Sequence, residues 1–141
     1  MSQQPPRARL FWAGAGAAVV AVPLALAIGM WVGTRSSNAV LAVVPGLLVV
    51  LVLPALGVVS AEAWLSRRVG LERPRMGAAV GAALGVQVLT LVGAVWAGAS
   101  AHRLGDTVLL TLVEALVLPL VVTHVITLSL RERAGVRVPV P

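Results

Sequence analysis

Four long apolar runs, at 10–32, 39–65, 76–99 and 107–130, dominate the chain, and between them they hold no arginine and only two acidic residues, Glu62 and Glu114. A helix needs about 20 apolar residues to cross ~30 Å of hydrocarbon, and each run is long enough. Lipid offers no partner to a free backbone amide, so runs of this length fold as helices. Charged residues make up 11% of the chain and hydrophobic ones 59%, whereas a water-facing domain carries about 25% charged residues. The mean hydropathy is +0.99. The expected fold class is an all-α integral membrane protein with four transmembrane helices.

The arginines set the expected orientation. Arg7 and Arg9 precede the first run, Arg67, Arg68, Arg73 and Arg75 separate the second from the third, and Arg131, Arg133 and Arg137 follow the fourth. Only Arg35 and Arg103 fall in the other two connections. Basic residues mark the cytoplasmic side, which places both termini inside. Trp12 and Trp64 fall near that interface and Trp31 and Trp96 near the outer one, as aromatic belts require. The basic stretch before Leu10 also resembles a signal peptide, but the apolar run is longer than the usual 7–15 residues. With a pI of about 11.9 a nucleic-acid partner is worth testing, but Tyr is absent and Phe occurs once, leaving no stacking platform. All basic residues are Arg and none is Lys, which suggests GC-rich coding and a bacterial inner membrane.

Shifted by about 65 residues, the chain aligns with itself without a gap. Trp31 meets Trp96, Gly33 meets Gly98, and Leu51-Val52-Leu53-Pro54 meets Leu116-Val117-Leu118-Pro119. About 18 of roughly 66 aligned pairs are identical, against about 8 from composition alone. The expected organisation is a parallel tandem repeat of two-helix hairpins, residues 10–75 and 76–135, flanked by cytoplasmic tails 1–9 and 136–141, related by an axis along the membrane normal.

Small residues recur every fourth position on the first span at Ala17, Ala21, Ala25 and Gly29, and on the third at Gly77, Gly81 and Gly85. Such rows let helix backbones approach closely, so spans one and three are expected to be central packing helices. Pro23, Pro45, Pro54 and Pro119 fall inside spans and are expected to kink them.

Few polar side chains lie deep in the spans. Glu114 lies about 16 residues, or ~24 Å, from the cytoplasmic end of the fourth span, level with Thr90 on the third. An ionisable group at that depth costs at least ~2.5–3.5 kcal/mol on insertion scales and turns to the bundle interior or to water. Glu114 therefore reads either as a hydrogen-bonded brace between helices or as a group that handles protons or cations. Gln87 can bond across helices, and His124 can hydrogen-bond or titrate. Glu114, Thr90, Gln87 and His124 form the candidate polar site. Glu62, about one turn from Arg67 and Arg68, reads as interfacial. Asp106 is placed to cap the fourth helix.

Cysteine is absent, which excludes disulfides, thiolate metal sites and Cys nucleophiles. His102 and His124 are too isolated for zinc, and no phosphate loop appears, so neither an enzyme nor a cofactor is expected. The connections span about 6–10 residues, too short for a soluble domain. The leading expectation is a non-enzymatic membrane scaffold or accessory subunit that packs with a second copy or another membrane protein. The alternative is a small oligomeric transporter or channel using Glu114. Arg67, Arg68, Arg73 and Arg75 are placed to meet anionic lipid head groups.

Overall fold

A computed structural model describes residues 7–35, 37–71, 74–100 and 104–135. They form four helices, α1 (Arg7–Arg35), α2 (Ala39–Arg68), α3 (Met76–Ser100) and α4 (Leu104–Gly135). All four are long and apolar enough to cross a membrane. The helices extend a few residues beyond the apolar runs, since nothing in the short polar flanks breaks them. Asp106 accordingly falls inside the first turn of α4 rather than before it. Each helix that carries a proline continues through it, α1 through Pro23, α2 through Pro45 and Pro54, and α4 through Pro119. Most of the N-terminal tail, the whole C-terminal tail 136–141, Arg73, His102 and Arg103 lie outside the described residues.

The α2 terminus is fixed by local chemistry. Gly70 has φ +75°, a conformation that costs glycine nothing. Its N–H donates to Arg67 O at 3.1 Å, and the Leu71 N–H donates to Ser66 O at 3.0 Å. This paired closure satisfies carbonyls the helix would otherwise leave open.

The helices follow one another up and down. The ends that carry Arg7, Arg9, Arg67, Arg68, Arg75 and Arg131 gather at one end of the bundle, where Arg75 Nη1 donates to Glu132 Oε2 at 3.3 Å between α3 and α4. Arg68 stacks on Trp64 at 4.3 Å at this end, and Arg35 on Trp31 at 4.5 Å at the other.

α1 packs against α2 and α4, and α3 against α2 and α4; α2 and α4 also touch, whereas α1 and α3 do not among the described residues. The central pair is therefore α2 and α4, not the small-residue spans α1 and α3. The reason lies in the side chains at the crossing, where Pro54, Val58, Glu62, Leu118, Val122 and Ile126 are all fully buried. Small residues on α1 instead admit α2. Gly29 and Gly46 face each other so closely that a Cβ on Gly46 would lie 3.0 Å from Gly29 O, and one on Gly57 3.1 Å from the Ala21 methyl.

The core sits in the arginine-rich half of the bundle. Leu10 and Ala18 of α1, Ala55, Val58 and Val59 of α2, Ala79 and Ala83 of α3, and Leu118, Val122 and Ile126 of α4 close it. On α3 no described residue beyond Gln87 is buried, and on α4 none before Leu118. Apolar side chains cover the outside, with Leu89 73% exposed and Leu116 and Leu120 similarly bare. Water would penalise such a surface and lipid does not.

Candidate functional site

The half-open seam between α3 and α4 carries the first polar constellation. A laterally open cavity of about 280 Å³ is lined by Val86, Leu89, Thr90, Gly93, Leu110, Val113, Glu114 and Val117. Thr90 and Glu114 thus share one space. The Thr90 hydroxyl donates to Val86 O at 2.9 Å within its own helix, so it offers the cavity only its lone pairs. The Gln87 amide reaches toward the Glu114 carboxyl. Gln87 is 2% exposed, and its Nε2 reaches no acceptor at hydrogen-bonding geometry among the described residues.

His124 does not join this group. It follows Glu114 on α4 by ten positions, which turns it about 80° around the helix axis. Its side chain is exposed and does not line the cavity. Its backbone carbonyl accepts a hydrogen bond from Thr127 Oγ1 at 3.0 Å.

A second constellation lies deeper, where α1, α2 and α4 meet. Glu62 is 0% exposed, and the Thr123 hydroxyl donates to its Oε1 at 2.9 Å. Glu62 Oε2 is buried and has no hydrogen-bond partner among the described residues. Gly14 makes the space, since a Cβ there would overlap Glu62 Oε1 and lie 2.9 Å from Pro119 Cβ. Ser66 and Thr127, one turn nearer the arginine-rich end, are also buried, and their hydroxyls donate to backbone carbonyls of their own helices.

This corrects the interfacial reading of Glu62. Arg67 and Arg68 are five and six residues on, about 140° and 120° around the axis, and both are exposed. Proximity along the chain therefore does not bring either guanidinium to the carboxyl. The usable signal was the face: Ala55, Val58, Val59, Glu62, Ala63 and Ser66 recur at helical spacing and are all buried.

No protein-family model matches this chain, and neither does any curated protein or solved structure.

The small-residue rows divide. On α1, Ala25 is buried and Ala17 half-buried, while Ala21 and Gly29 are half-buried against α2. On α3, Gly77, Gly81 and Gly85 face outward, and a Cβ on any of them would meet nothing within 4 Å. Among the described residues no group of three or more His, Cys, Asp or Glu could hold a metal ion.

Proposed function

We propose that this chain is a bacterial inner-membrane protein with four spans and both termini in the cytoplasm, acting as a non-enzymatic scaffold or accessory subunit. The observation that carries the reading is the α3 glycine row. Gly77, Gly81 and Gly85 expose backbone along a face that nothing among the described residues occupies. A lipid tail gains little from such a flat strip, whereas another helix gains close van der Waals contact along it. The occupant is a helix of a second copy or of another membrane protein.

The orientation rests on the arginines gathered at one end, which the positive-inside rule makes cytoplasmic. Exposed Arg67, Arg68 and Arg75 suit anionic head groups there, at about 1 kcal/mol each. The tandem repeat, 10–75 and 76–135, is supported by burial at matched positions. Gly14 and Ala79, Ala18 and Ala83, Pro54 and Pro119, and Glu62 and Thr127 are buried in both halves. The contacts α1–α4 and α3–α2 are also exchanged by such a symmetry.

The test is Gly81→Leu and Gly85→Leu, read by energy transfer between labelled copies in bilayers and by cross-linking to other membrane proteins. Association should fall while helicity persists. Association unchanged in both variants would refute the reading. A second reading, a small oligomeric transporter using Glu114, is favoured by the cavity that Glu114 and Thr90 line. Proton or cation flux in vesicles that is lost in Glu114→Gln would support it.

A further inference from the structure

We propose that the α3–α4 cavity binds a small lipophilic monocation, a substituted ammonium whose head sits against Glu114 and whose apolar body lies along Leu89, Leu110, Val113 and Val117. The inference rests on the placement of Glu114 used in the transporter reading, but it claims binding alone.

Three observations select this chemistry. The walls are apolar except for Thr90 and Glu114. Thr90 has committed its proton to Val86 O, so it offers the cavity lone pairs only, and an ionised Glu114 beside it would attract a cation and repel an anion. Leu89, Val113 and Val117, which line the cavity, are exposed on the apolar exterior of the bundle, so a ligand would enter from the bilayer, where amphiphilic cations concentrate. A volume of about 280 Å³ is at the small end of ligand sites, enough for a trialkylammonium head and a few methylenes. A phospholipid amine fits less well, because its phosphate would be carried toward the carboxylate.

The experiment uses the full chain in phosphatidylcholine nanodiscs, titrated calorimetrically with octyltrimethylammonium, with empty discs as the blank. Saturable binding to one site is expected. Glu114→Gln should weaken it about tenfold or more, through loss of a charge-assisted contact. Gly93→Leu, which fills the cavity from a position where a Cβ meets nothing within 4 Å, should weaken it as much while leaving the carboxyl. Binding should also fall as pH is lowered, because proton and cation compete for one carboxylate. In the wild-type chain, bound octyltrimethylammonium should slow carbodiimide labelling of Glu114, read by mass spectrometry, which needs no variant to fold. No saturable binding above the blank, equal binding by Glu114→Gln, or labelling unaffected by the cation would overturn the proposal. Binding without flux of the same cation would uphold it and remove the transporter reading. Flux lost in Glu114→Gln without cation binding would do the reverse.

Discussion

Gly14 is the position where one methyl group should cost most. A Cβ there would lie 2.9 Å from Pro119 Cβ and overlap Glu62 Oε1, whereas carbon atoms prefer ~3.5–4.0 Å. The α1–α4 contact would have to open by about 0.6–1 Å, and Glu62 would have to leave its bond to Thr123. Overpacking of this kind costs about 1–3 kcal/mol. Gly16, two residues on, is exposed, and a Cβ there meets nothing. Both substitutions to Ala bring the same helix-propensity gain of up to ~1 kcal/mol, so their difference isolates the clash. Denaturation by sodium dodecyl sulfate in mixed micelles, followed by tryptophan fluorescence, should put Gly14→Ala about 1–3 kcal/mol below Gly16→Ala. In a Glu62→Ala background the overlap with the carboxylate is gone and that with Pro119 remains, so the cost should shrink by about 1 kcal/mol. Equal stability of the two glycine variants, or a cost indifferent to Glu62, would refute the packing argument.

Other substitutions separate the roles of individual contacts. Thr123→Val removes the donor to Glu62 and should cost about 1–2 kcal/mol in the same assay, while Thr127→Val, whose hydroxyl bonds only its own helix, should cost under about 0.5 kcal/mol. Gly46→Ile should force α1 from α2 at the Gly29 contact and cost about 2 kcal/mol or more, with cysteine cross-linking between the two helices lost in parallel. Arg75→Ala should change stability by less than about 1 kcal/mol, because the Arg75–Glu132 pair is exposed on both sides and solvent screens it; a larger loss, insensitive to salt, would show that the pair does more.

The number of helices was legible in the sequence because lipid makes length and apolarity sufficient. Burial was not, because the spans are apolar all round and no face announces itself by hydrophobicity. The four-residue spacing of Gly77, Gly81 and Gly85 identified a face on α3 but not its occupant, and among the described residues that face is bare. The closest approaches are made by Gly14 and Gly46, which belong to no such row, and by Gly29, which belongs to the α1 row. Thr90, Gln87 and Glu114 were legible as a group because depth along two antiparallel spans follows from counting residues. His124 was not, since depth alone leaves rotation about the axis undetermined.

Glu62 shows why polar residues locate the interior better than apolar ones in such a chain. An apolar side chain gains nothing by choosing the interior over lipid, whereas a carboxyl that cannot reach water must find a donor. Glu62 meets Thr123 across the α2–α4 crossing, and Gly14 gives up its side chain to admit it. Among the described residues Glu114 has no such bond at full hydrogen-bonding geometry, only the Gln87 amide that approaches it and a partly open cavity beside it. One carboxyl is thus built into the packing of three helices, and the other borders space that a ligand can fill. Substituting each by Gln separates the two: Glu62→Gln should register in stability, and Glu114→Gln in binding.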